Sequence, residues 1–477
     1  STANIKFDQV TVRNMHIKGS VDAGGLLGSS GKSAPTTKPV GYTASKNIAC
    51  LLEPTMNNRT SVGVQITNSQ YNNIVVEAAN SAGGFVGYVD SQDNTSVISS
   101  LNITQQNYVV GRSSKIGKAD NTTTYAGGTF GYIRTQIKIN TDENTDEAVM
   151  QGVTSAAGEC AGGFIGKIDN KRYQICKAVV KGSDAEPNGI ISVKSRTGYA
   201  GGLVGRANGT DDSCEFQNCR ADTIAINVSD LTGGESTIGG DGGIVGRIQG
   251  AEVTISDCEV QKTSIAGGKS GGVVGVVGNT AVTVKLQNCV VNGTEDQKYK
   301  ITGEETAGGM IGLSTAPNKK IQMKQCEVSN MKMISNKWGC GGMLGDVDWA
   351  ANLDTLYLFD CAVEDSEIQG TTNDTTAGGF TGDIRGNLTA SNLLLNNTSI
   401  HCTQSNKVGM VIGLVDSRTG AISVAGLSIQ NAEAYYENAG KKNSVTQLYG
   451  VINNDSSVAN TIKNKSYIAF ADYSGAA

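Results

Sequence analysis

The sequence predicts an all-β fold, a right-handed parallel β-helix or β-solenoid of about twelve coils, and three observations predict it. A hexad of one small residue, two glycines, two apolar residues and a glycine recurs along the chain. A second signature, apolar residues alternating with polar ones around an Asp-Cys or Asn-Cys pair, precedes most copies. No segment of useful length carries a helical period. Glycine accounts for 62 of 477 residues while proline accounts for 5, so the glycine excess is periodic, neither collagen-like nor a mark of disorder.

The hexad first reads Ala23-Gly24-Gly25-Leu26-Leu27-Gly28 and next Ala82-Gly83-Gly84-Phe85-Val86-Gly87. Its second glycine returns at Gly128, Gly163, Gly202, Gly243, Gly272, Gly309, Gly342 and Gly379, with degenerate copies at Met410 and Gly450. Neighbouring copies lie 29 to 59 residues apart, which implies a core unit near 30 residues and surface insertions of varying length. The second signature reads Ile255-Ser256-Asp257-Cys258-Glu259-Val260 and Leu286-Gln287-Asn288-Cys289-Val290-Val291, with the polar residue before Cys marking a bend or a stacked ladder. The minimal unit, Cys258 to Cys289, holds a strand ending near Val260, one near Thr263 to Ala266, one at Gly271 to Gly275, and a turn at Gly278-Asn279. Such strands pair in register only as parallel neighbours about 4.8 Å apart, and the crossover rule makes the winding right-handed. The whole of 1–477 reads as one solenoid: first coils with long insertions over 1–125, regular coils over 126–400, and degenerate coils over 401–477.

The hexad glycines serve either positive φ or close backbone approach, and Asn453 in place of the last glycine favours the first. Both apolar slots are filled, for example by Phe164 and Ile165 or Leu203 and Val204. Either the strand is buried on both faces beneath a second layer, or the glycines bend it so that both columns turn inward.

Together the two signatures resemble the GLUG-motif repeats of bacterial cell-surface and secreted proteins, over roughly residues 10 to 455. The resemblance implies an extracellular, surface-attached setting and an adhesive or spacer role. It covers a repeat, not an enzyme, and the insertions at about 29 to 62 and 111 to 124 depart from it.

Candidate chemistry is sparse. Cys176, Cys219, Cys258, Cys289, Cys326 and Cys361 are expected in one column with Met15 and Ala432, as buried thiols packing like hydrophobes. Cys160 and Cys340 take the small-residue slot, and paired zinc spacings are absent. His16 and His401 are the only histidines, with no His-Glu-x-x-His, so neither a zinc peptidase nor a His-based triad is expected. Gly31-Lys32-Ser33 and Gly268-Lys269-Ser270 lack the upstream glycine of a phosphate-binding loop and read as loops. The best enzymatic case is Asp346 stacked on Asp383, with Asp348 and Trp349 nearby, as a carboxylate pair or calcium site. Against it, Asp90, Asp169, Asn208 and Asp416 share the Asp348 slot as turn formers, and Tyr88, Tyr132, Lys167, Arg206 and Arg247 make the Asp346 slot a variable solvated column. The expectation is therefore no catalytic residue, cofactor site or metal site.

A net charge of -5 argues against nucleic acid, and no apolar stretch is long enough to span a membrane. Repeat material begins near Phe7 to Ile17, a strand-like Tyr467 to Asp472 closes the chain, and neither end carries a capping helix. The expectation is that more protein continues on both sides or that the ends pair with other copies. The leading expectation is a non-enzymatic extracellular stalk that displays its insertions to a host or matrix glycan or protein. A self-assembling filament joined through solenoid ends and a polysaccharide-active β-helix enzyme are the alternatives.

Overall fold

A computed structural model describes residues 4–30, 63–67, 69–90, 101–104, 108–110, 114–118, 123–140, 147–169, 172–182, 189–193, 198–209, 214–228, 239–250, 252–278, 283–296, 299–315, 320–348, 355–416, 420–452 and 467–474. Among them there is no helix. The strands form three long sheets of 21, 22 and 12 strands.

The unit around Cys258 shows how the sequence repeat becomes a set of strands. Glu252–Ser256 and Glu259–Gln261 lie in the first sheet, Ser264–Gly271 in the second and Val274–Val277 in the third. Each pairs in parallel with its counterpart one repeat on: Thr283–Gln287, Val290–Asn292, Tyr299–Gly308 and Ile311–Ser314. The first of these strands alternates as a strand with one buried face must, with Val253 and Ile255 inside and Glu252 and Thr254 turned out. Stacking then builds columns. Val253, Val284, Ile321, Leu356, Leu388 and Ile422 follow one another in register and are each no more than 1% exposed. Full burial of one such side chain stabilises by about 1.5–3 kcal/mol, and one continuous apolar cluster runs from Val12 to Ala434.

Two bends five residues apart connect the first sheet to itself and then to the second. Asp257 and Lys262 take positive φ, 54° and 45°, and the residue after each, Cys258 or Thr263, turns inward. Asp360-Cys361 and Asp365-Ser366 repeat the pair, with φ of 54° and 48°. Asn and Asp tolerate this left-handed region, and here they also stack: Asn288 Nδ2 donates to Asp257 Oδ1 at 3.0 Å, Asn392 to Asp360 at 2.9 Å and Asn397 to Asp365 at 2.6 Å. The inward residues share a second role. The thiols of Cys258 and Cys289 donate to the carbonyls two residues back, at 3.2 and 3.5 Å, as the hydroxyls of Thr263 and Ser366 do at 2.7 Å.

This double bend corrects the expected cysteine column. Cys219, Cys258, Cys289, Cys326 and Cys361 share the first bend, but Cys176 pairs with Gln217, so Ala178 stands in line with Cys219. Met15 pairs with Ile74 in the second sheet, and Ala432 lies beside Thr398 at the second bend. The two bends look alike locally, so a slot inferred from a polar residue followed by a small one lands on either. Cys340 takes the small-residue slot, in register with Ala377, but Cys160 stands one place earlier, in register with Tyr125 and Tyr199, and Ala161 fills the slot. Ten cysteines are described, all buried and unbridged.

The hexad is likewise not one strand. Gly271 ends the second-sheet strand, Gly272 and Val273 form a bend, and Val274 begins the third-sheet strand. Val273 and Val274 are both fully buried in the common core, so the bent arrangement is the one found. Close approach, not positive φ, explains the glycines. A Cβ on Gly272 would stand 1.9 Å from the Gly309 carbonyl oxygen and 2.8 Å from Val291, and no hexad glycine has positive φ. The last copy is read one slot off in the sequence: Tyr449 pairs with Ile412, so Gly450 stands at the closing-glycine position of Gly413 and not at the second glycine, and Asn453, outside the described residues, does not replace that closing glycine.

Among the described residues one pairing is antiparallel. Glu433–Asn438 turns through Ala439 and Gly440 and pairs with Lys441–Val445, so the second sheet closes there in a hairpin with two lysines on its outer strand.

Candidate functional site: side-chain columns of the third sheet

Each third-sheet strand starts at the second apolar residue of a hexad, so the residues two and four positions later share one face. Two columns result. The first runs Tyr88, Tyr132, Lys167, Arg206, Arg247, Val276, Leu313 and Asp346, with Asp383 on the next strand. The second begins Asp90, Arg134 and Asp169, and its far end holds Asp348, Arg385 and Asp416. The second-sheet residue just before each hexad lies against the first column: Tyr125 on Tyr132 with ring centroids 4.9 Å apart, Tyr199 on Arg206 and Arg247, and Gly339 on Asp346.

In the first half of the sheet, rings and charges interlock. Tyr88 donates to Asp90 at 3.0 Å, and Arg134 pairs with the same carboxylate at 3.3 Å. Asp169 accepts from Tyr132 at 2.8 Å and Asn208 at 2.7 Å, and pairs with Lys167 at 3.3 Å. Burial alone would raise the Asp169 carboxyl, but these three partners hold it below the usual carboxylate range. Lys167 Nζ sits 5.1 and 4.8 Å from the centroids of Tyr125 and Tyr132. The Tyr199 ring contacts two guanidiniums, Arg206 at 5.7 Å and Arg247 at 5.1 Å, and Arg247 donates to its hydroxyl. Lys167, Arg206 and Arg247 remain partly exposed.

In the second half the same columns hold a buried ion cluster. Arg385 reaches Asp383 at 2.6 Å, Asp346 at 3.0 Å and Asp416 at 3.5 Å. Asp346, Asp383 and Asp416 are 4%, 3% and 1% exposed, and Asp90 is 4% exposed, so the expected solvated turns are instead packed side chains. The second sheet folded over this face is the reason. Burial pushes the Asp346 carboxyl up to about 6 against the pull of Arg385, and pushes Asp383 well above its ordinary range, with Asp346 adding to the rise. Asp383 Oδ1 is shielded from solvent without a hydrogen-bond partner. Asp346 and Asp383 do lie on adjacent third-sheet strands as expected, but sequence reasoning missed the arginine between them, because Arg385 sits in the neighbouring column. Trp349 lies outside the described residues.

Other candidates resolve separately. Gly268-Lys269-Ser270 lies within the strand Ser264–Gly271, not a loop, and Lys269 pairs with buried Glu305 at 2.6 Å. Gly31-Lys32-Ser33 lies outside the described residues. His16 pairs with Glu77 at 3.3 Å, while His401 stacks on Tyr435 with ring centroids 4.9 Å apart. Asp241 occupies the small-residue slot between Ala200 and Ser270, fully buried, with neither carboxyl oxygen in hydrogen-bond geometry. Burial drives it well above the ordinary carboxylate range, opposed by the Ala200 backbone amide. Among the described residues no group of three or more His, Cys, Asp or Glu is placed to hold a metal ion, and no helix is long and apolar enough to cross a membrane. Neither a family model, nor a curated protein, nor a solved structure matches the chain.

Proposed function

We propose that the chain is a rigid extracellular rod, a right-handed β-solenoid of about twelve coils of the GLUG-repeat kind, that serves as a stalk or display module of a surface protein without catalysing a reaction. The observation that carries this reading is the in-register parallel stacking over a single core from Val12 to Ala434. A stack of this sort is stiff along its axis because each coil is bonded to the next through three sheets. Right-handed winding follows from the crossover preference. The Asp346, Asp383 and Asp416 carboxyls, gathered around Arg385 and closed off from water, suit a role in joining coils better than one in cleaving a glycosidic bond. The antiparallel hairpin at Glu433–Asn438 favours a discrete rod over an endless filament, because a reversed strand bearing Lys441 and Lys442 blunts that sheet edge.

Small-angle scattering and negative-stain microscopy of the chain test the reading. Twelve coils at about 4.8 Å give separate bodies about 60 Å long, insertions aside. Globular particles would overturn the rod, and continuous fibres of constant width would replace it with the filament.

A further inference from the structure

We infer that Lys269 and Glu305 form a self-condensing modification site, in which the ammonium of one and the carboxylate of the other join as an isopeptide bond and release water. The product is a covalent staple between Ser264–Gly271 and Tyr299–Gly308, parallel neighbours of the second sheet one repeat apart. Lys269 Nζ lies 2.6 Å from Glu305 Oε2, and the two side chains are 7% and 3% exposed. That contact holds Nζ near the carboxyl carbon, close to the separation of about 3–3.5 Å from which reacting atoms join.

A break in the strand pairing builds the site. Gly267 pairs with Gly303 and Lys269 with Thr306, so Glu304 and Glu305 together face Gly268 alone. A bulge of this kind re-aims a side chain. Here Glu304 is exposed, whereas Glu305 turns in to the lysine. The backbone is pinned on both strands: the Glu305 carbonyl accepts from Ser335 Oγ and the Trp338 amide, both at 2.8 Å, and Ser270 Oγ donates to the Thr302 carbonyl at 2.7 Å. Two groups held so have an effective concentration far above any in solution, on the order of 10⁵ M or more in well-oriented pairs. Burial favours the product as well, because an amide carries no charge while an ion pair out of water bears the desolvation of both ions. By contrast Lys285 and Glu252, 34% and 42% exposed, keep their hydration, and water there favours the separate ions.

The step balances without a co-reactant. One proton passes from Nζ to the carboxylate, leaving an amine beside a carboxylic acid. The nitrogen lone pair forms the bond to Cδ, and a carbon–oxygen bond then breaks. The departing oxygen carries the acid proton and one further Nζ proton away as water. Thr306 Oγ1, in the same column as Lys269, is shielded from solvent and has no hydrogen-bond partner. It supplies a donor for the oxygen that gains charge as the nitrogen adds. The inference stands apart from the proposed function, since a stapled pair of strands needs neither a cell surface nor a ligand.

Mass spectrometry of the intact chain, folded and then denatured for the measurement, tests it. The parent is expected to weigh one water, about 18 Da, less than its sequence. Trypsin should then leave the bond after Lys269 uncut and release that peptide joined to the one carrying Glu305. Lys269→Arg keeps the ion pair but offers a guanidinium, too weak a nucleophile to condense, and should show the full sequence mass, as should Glu305→Met. Thr306→Val should condense about tenfold or more slowly, followed by mass after a pulse of synthesis. Circular dichroism confirms that each variant is folded, and the mass of the parent decides the matter whether or not a variant folds. The full sequence mass in the folded parent overturns the proposal. So does an equal loss of water from Lys269→Arg, which would place the dehydration elsewhere, for instance at Asp241-Gly242 as a succinimide. An unchanged rate in Thr306→Val overturns the role of the hydroxyl.

Discussion

Between Tyr88 and Gln249 the third sheet alternates rings, guanidiniums and carboxylates whose cations stay partly exposed, whereas between Asp346 and Asp416 the same two columns bury three carboxylates around Arg385. The backbone is equivalent in the two regions, so the fold does not dictate the difference. The residue just before a hexad contributes at some strands. Where it is Tyr125 or Tyr199, a ring carries the neighbouring cations on its face. Where it is Gly339, the second sheet closes directly on Asp346, water is excluded, and Arg385 becomes the charge on which the cluster depends. A repeat fold thus fixes where columns run while single residues outside the motif decide whether a column meets solvent.

The largest expected effect is the loss of that arginine. Arg385→Met leaves three buried carboxylates without their cation and should cost about 3–5 kcal/mol, whereas Arg206→Met, in the partly exposed region, should cost about 0–1 kcal/mol. Urea denaturation of the two variants measures both. Equal costs would abolish the distinction between the regions.

Where the two regions meet, Gly240 lies against Val276, and beside it Asp241 stands where Ala161, Ala200 and Ala307 stand in other repeats. A carboxyl buried without a bonded partner costs about 1–3 kcal/mol, so Asp241→Ala should stabilise the chain by a similar amount at pH 7. A destabilised variant would mean that the carboxyl is bonded and needed.

The pH dependence sharpens the contrast further. Asp346 is raised from 3.8 to about 6 and burial raises Asp383 as well, so the unfolded chain releases these protons first. Their contribution is fully present below about pH 4 and is lost as pH rises through the folded values. Their share of stability therefore grows on acidification from pH 7 to pH 5. Asp383→Asn removes one of the two and should flatten that slope while raising the urea midpoint at pH 8. An unchanged slope would show that the cluster does not govern it. Asp169, held below the ordinary range, contributes in the opposite sense: its share is present above about pH 4 and is lost as pH falls.

Much of this was legible in the sequence because stacking repeats the same demand at fixed positions. The hexad glycines, the inward cysteines and the polar bends each answer a backbone requirement that recurs from repeat to repeat, and all three were visible as columns. The bend pair was not separable, since Asp257-Cys258 and Lys262-Thr263 present the same local chemistry five residues apart. Nor was the hexad's division into two strands, because Val273 and Val274 are both apolar whether they face opposite sides of one strand or the inside of a bend. The ion cluster escaped because its members come from two columns and three hexads. Comparing the residues two and four places past each third-sheet strand start would have paired Asp383 with Arg385.

The smallest expected effect tests the partly exposed region alone. Tyr199→Phe keeps the ring between Arg206 and Arg247 and removes only the hydroxyl to which Arg247 donates. Arg247 is within reach of water, so a replacement partner is at hand and the loss should be about 0.5–1 kcal/mol, near the lower end for a hydrogen bond. Tyr199→Leu removes the ring as well and should lose about 0.5–1 kcal/mol more, the value of an exposed cation–π contact. Thermal unfolding of the pair separates the two contributions. If Phe alone costs as much as Leu, the hydroxyl and not the ring holds the guanidiniums, and the first region is a hydrogen-bonded network like the second rather than a stack of rings and cations.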